Sequence, residues 1–313
     1  MTKYIDLHIH STASDGSYSP SKLVEMAKEI NLTAIALTDH DTIDGIPEFC
    51  SKAKEMAIEA IPAVEIGVKN ERDRGLNEVH LLGYFIDSDD SPVGKALKKL
   101  QKSKNDWSKK QLKVLAKGGF DIDYETIVQI SKGSPTIRRP HIWQAIAQKY
   151  GNTLAREDYY TNTSSGGKWC VEKSLSYSIE EAIELVLQSK GIPVLAHPAF
   201  CGNWNKLNQT DKNTKIKLPD EVLNVINIAK KAGVCGIETV YAYNSTGNKT
   251  LPDEQIIGKL LAVEAQKLNL CQTGGSDFHG EISKSVKLGE AKVPTYFLAI
   301  LKEKYTKIHG IKL

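Results

Sequence analysis

The sequence predicts an α/β fold: a mostly parallel sheet covered by helices and interrupted once by a helical insertion. Three observations carry this. Strand-like apolar runs alternate with helix-period segments along most of the 313 residues. From about Pro92 to Leu175 the rhythm stops and helical patterns take over. Outside that stretch, ionisable clusters fall at or just past strand ends, where barrels of alternating strands and helices collect their chemistry.

Lys3 to Ile9 reads as the first strand. Ser19-Pro20 opens a helix that runs to Asn31, since serine caps and proline fits a first turn. Leu23, Met26, Ala27 and Ile30 share one face of it. Thr33 to Thr38 is a short apolar strand, residues 44–57 a helix, Ala60 to Val68 a strand, and Val79 to Ile86 another. Within the insertion, Gly94 to Lys117, Tyr124 to Ser131 and Arg139 to Tyr150 read as helices. The polar run Thr161 to Gly167 follows as a mobile-looking segment. Alternation resumes with helix 179–188, strand 192–196, helix 220–231, strand 234–240, helix 253–268 and strand 270–274. The tail after Pro294 predicts a closing helix, with His309 a solvent-exposed bystander. Residues 1–91 and 176–313 are thus expected to build one discontinuous barrel domain around an insertion lobe, 92–175.

A hydrophobic content of 41% and a charged content of 25% are those of a globular chain with ample core. A net charge of +3 is too mild to argue for nucleic-acid binding. Five widely spaced cysteines without a CxxC read as reduced thiols of a cytoplasmic protein. Neither an apolar signal core nor a run of ~18 apolar residues occurs, so no membrane span is expected.

Six of the eight histidines gather with carboxylates in five clusters: His8, His10 and Asp15; Asp39 and His40; Glu65 and His80; His197; Asp277 and His279. His8 and His10 are two apart on a strand, so their rings share one face. Thr38-Asp39-His40-Asp41 closes the second strand with three ionisable groups in a row. His40 is its ligand candidate and Asp39 a partner that orients an imidazole. Glu65 interrupts an apolar strand, where a carboxylate is costly unless paired or metal-bound. Alone, Glu65 fits a solvent-facing position and His80 a satisfied core histidine. His197 sits before Pro198, which locks the strand end, and Glu238 lies near another. Ligand-type residues recurring in register with strand ends are what a multi-metal hydrolytic site needs.

The segments Asp6-Leu7-His8-Ile9-His10-Ser11, Asp15-Gly16, Thr38-Asp39-His40-Asp41, Glu65, Val79-His80-Leu81, Ala196-His197-Pro198 and Gly275-Ser276-Asp277-Phe278-His279 resemble the PHP family of metal-dependent phosphoesterases. The resemblance implies a distorted (β/α)7 TIM-like barrel with two to three divalent ions of Mn, Fe or Zn. It implies a first ion on His8, His10, Glu65 and Asp277, and a second on His80 and His197 with Glu65 bridging. A third falls to Asp15, His40 and His279. The branch with an insertion resembles the chain best, and includes nucleoside 3′,5′-bisphosphate phosphatases and 5′-to-3′ oligoribonucleases. Its insertion motifs read here Arg138-Arg139-Pro140-His141 and Gly166-Gly167-Lys168, with Arg138 standing where the motif has a Thr-like residue.

The expected function is hydrolysis of a nucleotide phosphate ester by attack of a metal-bridging hydroxide. Asp39, Glu65 and His197 are the expected catalytic residues. Asp15, Arg139, His141 and Lys168 are expected at the substrate, arginine gripping phosphate bidentately and lysine as a point charge. RNA ends are a further expected partner; no membrane and no obligate protein partner is expected. A histidinol-phosphate-type phosphomonoesterase and an inactive metal-binding accessory barrel are the competing readings. Lys95, Lys98, Lys99, Lys102, Lys104, Lys109, Lys110, Lys113 and Lys117 crowd one helix, either as a ridge that tracks a nucleic-acid backbone or as a solvated face.

Overall fold

The fold comes from a computed structural model describing residues 3–131, 134–164, 166–172, 175–204, 216–246, 248, 250–283 and 285–313. Part of the polar run 161–167, Ser165, lies outside the described residues. Eight strands form one nearly closed barrel: β1 (Tyr4–Ile9), β2 (Ala34–Leu37), β3 (Glu59–Gly67), β4 (His80–Tyr84), β5 (Ile192–Leu195), β6 (Gly236–Tyr241), β7 (Cys271–Gly275) and the two-residue β8 (Val293–Pro294). Their spatial order is β7-β6-β5-β4-β3-β2-β1-β8. Beyond β7 the chain returns to β1, where the Asp277 amide donates to the His8 carbonyl at 2.8 Å and Ile9 pairs with Phe278.

The sheet is mostly parallel, as expected, with two reversed strands. Strands β1 to β3 and β5 to β7 are parallel, but β4 runs against both β3 and β5, and β8 against β1. Between β3 and β4 the described chain offers only a short 3-10 turn, Arg72–Arg74, and no crossover helix. Without a crossover the chain must fold back as a hairpin. The reversal has a chemical consequence: His80 opens β4 opposite Gly67 near the end of β3, so it lies at the same rim as the C-terminal ends of the parallel strands.

Helices α1 (Pro20–Glu29), α2 (Ile46–Glu55), α7 (Ile179–Gln188), α8 (Asp220–Ala232) and α9 (Glu254–Lys267) pack outside the sheet, and α10 (Tyr296–His309) seals one end. Ser19 caps α1 as expected, accepting from the Lys22 amide at 3.2 Å. Ser178 and Glu181 form a reciprocal capping box on α7, a device worth about 1 kcal/mol. The insertion holds α3 (Pro92–Lys117), α4 (Tyr124–Ile130), α5 (Arg139–Tyr150) and α6 (Arg156–Thr163). Val93 and Leu97 of α3 join the outer barrel core, whereas Trp107, Leu112 and Leu115 join a separate core with Ile127, Ile142, Ile146 and Tyr159.

The barrel interior is filled by Ile5, Leu7, Ala34, Ala36, Ile61, Ala63, Leu82, Val194 and Tyr84, plugged by Phe297, Leu301 and Tyr305 of α10. Ile9 belongs instead to the outer core. The β1–β2 register shifts between Asp6 and Ile9. Such an irregularity re-aims side chains, and here it leaves His8 and His10 facing inward above Leu7. His309 is half-buried rather than a bystander, its Nε2 3.1 Å from the Gly191 carbonyl oxygen. All five cysteines are free thiols. Among the described residues no helix is long and apolar enough to cross a membrane.

Candidate metal centre

Glu65 sits at the middle of the open rim, fully buried. Its Oε1 lies 2.7 Å from His80 Nδ1 and 3.0 Å from His197 Nε2. Its Oε2 lies 3.3 Å from His8 Nε2, 3.2 Å from His10 Nε2 and 3.1 Å from His40 Nδ1. Asp277 Oδ1 adds contacts of 2.8 Å to His10 Nε2 and 3.3 Å to His8 Nε2. Asp15 Oδ1 is 3.5 Å from His279 Nε2. All nine expected ligand residues thus converge from the ends of β1, β2, β3, β5 and β7, the start of β4 and the loop after β1.

Much of this contact is not hydrogen bonding. Both ring nitrogens of His10, His40 Nδ1, Asp15 Oδ1 and Asp277 Oδ1 are buried without a hydrogen-bond partner, although neighbours stand within reach. Buried polar atoms that close and that unsatisfied cost about 1–3 kcal/mol each. Lone pairs converging on shared points are what cations reconcile. Among the described residues three groups bring their ligand atoms within 4.8 Å of one another: His8-His10-Glu65-Asp277, His10-Asp15-His40-His279 and His40-Glu65-His80. The first is the set implied by the resemblance. In the second His10 joins the expected three. In the third His40 stands with Glu65 and His80, and His197 reaches the Glu65 Oε1 that His80 also contacts.

The electrostatics follow from burial. Burial opposes ionisation of Glu65, but His40, His80 and His8 hold it well below its usual range. Burial keeps His40 well below its ordinary value against the pull of Glu65. His10 is disfavoured as a cation by burial, yet the adjoining Asp277 and Glu65 carboxylates lift it to about 10. Cations entering this site must displace such protons.

An outer layer aims the ligands. Glu238 Oε1 lies 3.1 Å from His8 Nδ1, and its Oε2 accepts from the His197 amide at 2.8 Å. Tyr241 donates its hydroxyl to Asp277 Oδ2 at 2.7 Å, leaving Oδ1 for the histidines. Asp6 accepts from the Ser276 amide and hydroxyl at 2.9 and 2.6 Å. Among the described residues Asp39 hydrogen-bonds no imidazole: it accepts from the Ser11 amide and from the Ser11 and Ser14 hydroxyls at 2.5–2.7 Å, fixing the loop that carries Asp15. His197, at φ 25°, and Asp277, at φ 57°, hold left-handed backbone. A residue before proline resists helical backbone, so His197 stores about 1–3 kcal/mol of strain.

The insertion meets the site mainly through a residue that sequence reasoning passed over. Arg138 Nε lies 3.3 Å from Asp15 Oδ2 and its Nη1 3.1 Å from Asp41 Oδ2. Lys104 also pairs with Asp41, so this lysine turns inward while its eight neighbours in the basic run stay exposed. The signal was Arg138 standing in the motif's Thr-like position. Arg139 turns to Ser164 at 3.0 Å and Glu78 at 3.3 Å, lining a separate cavity of about 180 Å³. Lys168 is exposed, its Nζ 4.2 Å above the Trp169 ring. His141 is buried, accepting from the Arg138 amide at Nδ1 and bonded to the Ser14 backbone, which ties α5 to the Asp15 loop.

Comparisons with known proteins agree with this arrangement. The PHP domain model matches residues 6–189. A 5′-3′ exoribonuclease of Haemophilus influenzae is 30% identical over 95% of this chain and 99% of its own. A phosphoribosyl 1,2-cyclic phosphate 1,2-diphosphodiesterase of Eggerthella lenta is 25% identical over 91% of this chain and 97% of its own. A 3′,5′-nucleoside bisphosphate phosphatase of Chromobacterium violaceum is 24% identical over 88% and 87%. Among solved structures, a candidate metal-dependent phosphoesterase of Bifidobacterium adolescentis superimposes with a TM-score of 0.75 at 25% identity, covering 97% of this chain and 96% of that one. With more than half its length matched by the family model and full-length relatives on the same barrel, the chain belongs to the PHP family of metal-dependent phosphoesterases.

Proposed function

We propose that this chain hydrolyses a phosphate ester of a nucleotide, either a 3′,5′-bisphosphate or the 5′ end of a short RNA, with two to three bound divalent ions of Mn, Fe or Zn type. The carrying observation is Glu65, one buried carboxylate shared by five histidine nitrogens at 2.7–3.3 Å. Nucleotide substrates are supported by the exoribonuclease and bisphosphate phosphatase relatives.

His8, His10, Glu65 and Asp277 would hold one ion, Glu65 with His80 and His40 or His197 a second, and His10, Asp15, His40 and His279 a third. Such ions supply Lewis-acid neutralisation of phosphoryl charge and acidify water. Glu238 keeps His8 in one tautomer and orientation. Tyr241 fixes which Asp277 oxygen faces the histidines. Asp39 and His141 hold the Asp15 loop from opposite sides. Arg138, charged beside Asp15, balances the acidic side of the cluster.

Incubation with adenosine 3′,5′-bisphosphate, with Mn²⁺ or with EDTA, tests the reading by phosphate release and by the nucleotide left. Mn²⁺-dependent release leaving 5′-AMP is expected. Turnover of histidinol phosphate, with none of any nucleotide or RNA end, refutes it.

A further inference from the structure

Two cavities meet beside the metal centre at Pro140 and Arg156. One, of about 370 Å³, is bounded by Asp15, Asp277 and His279, and so opens directly on the candidate ligands. The other, of about 320 Å³, lies beyond Arg156 and is lined by Trp143, Gln144, Ile130 and Glu281. Each is of a size that takes part of a small ligand. None of the nine ligand residues reaches the second cavity, and no role has been given to it so far.

Arg156 stands where the two join. Arg156 is exposed, its guanidinium carbon 5.5 Å from the Trp143 ring centre and 5.5 Å from that of Tyr160. Among the described residues no carboxylate lies within ion-pair distance of it, unlike Arg74, Arg138 and Arg139. An arginine held against two aromatic rings, and near enough to the Tyr160 hydroxyl to hydrogen-bond it, loses less freedom on gripping a phosphate than an unsupported side chain. Beyond it the cavity combines apolar walls, Trp143 and Ile130, with an amide, Gln144, and a carboxylate acceptor, Glu281. Flat, partly apolar and able both to donate and to accept describes a nucleobase. The carboxylate argues against a second phosphate lying that deep.

Resting on the nucleotide reading, we infer that Arg156 binds the non-reacting phosphate of the substrate and that the Trp143 cavity takes the base of the same nucleotide. The scissile ester then lies in the cavity facing Asp15, Asp277 and His279. Arg156 is a specificity residue: it distinguishes a nucleoside bisphosphate from a nucleoside carrying the scissile phosphate alone.

The test compares adenosine 3′,5′-bisphosphate with adenosine 3′-monophosphate, which share the scissile ester and differ by the 5′-phosphate. In the Mn²⁺-loaded wild type the bisphosphate has the higher kcat/KM. In Arg156→Gln that preference falls about tenfold to a hundredfold, the scale of a lost charge-assisted hydrogen bond, and Arg156→Lys restores part of it. An unchanged preference in Arg156→Gln overturns the inference while leaving the nucleotide reading intact. Should neither compound be hydrolysed, the bisphosphate form of the nucleotide reading has failed and RNA ends remain, and calorimetric titration still decides the subsite. Tighter binding of 5′-AMP than of adenosine, lost in Arg156→Gln, upholds it; equal binding of the two overturns it. Trp143→Ala weakens both ligands if the base is seated there, and leaves adenosine binding unchanged if it is not.

Discussion

Replacing Glu65 by Gln is the most telling perturbation. The change keeps the shape of a fully buried side chain and removes only charge and one ligand oxygen. Glu65 belongs to two of the three candidate ligand groups, and the group of His10, Asp15, His40 and His279 does not include it. Bound metal measured by elemental analysis should therefore fall by two ions where the wild type holds three, and not to zero. A catalytic metal contributes several kcal/mol to transition-state stabilisation, and 1.36 kcal/mol is a factor of ten. Loss of two ions should cut turnover of the preferred phosphoester by at least about a thousandfold. Glu238→Gln is the matched control: it disturbs the orientation of His8 without deleting a ligand, so affinity or activity should drop by about 10–100-fold with metal retained. A Glu65→Gln protein with wild-type metal content and wild-type turnover would sink the ligand scheme.

Three further outcomes follow from the same geometry. Asp41→Asn strips a buried carboxylate from Arg138 and Lys104, so urea unfolding should show a loss of about 3–5 kcal/mol, as for other broken buried pairs; a loss below 1 kcal/mol would mean that the clasp does not join insertion to barrel. Burial lowers the His141 imidazole from 6.5 to about 4, so between those values the unfolded chain binds the proton that the folded one excludes. Stability is then complete above pH 6.5 and drains away as pH falls toward 4, by up to about 3 kcal/mol, and a His141→Gln protein should lack that component of the acid slope. Adding Mn²⁺ to EDTA-stripped protein should raise its melting temperature, with about 2.7 kcal/mol gained at a hundred times the dissociation constant; a flat titration would show that the buried histidines bind no ion.

The barrel elements were legible because their signals are local. Period-two and period-3.6 patterning, the Ser19 and Ser178 caps and the apolar runs specify strands and helices from neighbours in the chain. The reversal of β4 was not legible, since strand direction depends on how a connection packs rather than on the strand's own residues. His309 was misjudged for the same reason: its partner, the Gly191 carbonyl, is 118 residues away.

At the site, the identities of the nine ligand residues could be read from the chain, because histidine and carboxylate are rare in apolar strand ends unless something binds them there. Distances could not. Asp39 was expected at an imidazole and serves Ser11 and Ser14 instead. Arg138, Tyr241 and Asp6, which aim or balance the ligands, carry no local mark beyond an unexpected residue in a motif or a polar group at a strand end. The sequence alone therefore determined the class of fold, the insertion and the chemical type of the centre. Tertiary structure decided which histidines share Glu65, that His80 reaches the rim through a reversed strand, and that Arg138 rather than Arg139 faces Asp15. Local patterning is written in residue spacing, whereas these contacts depend on where distant segments meet in the closed barrel.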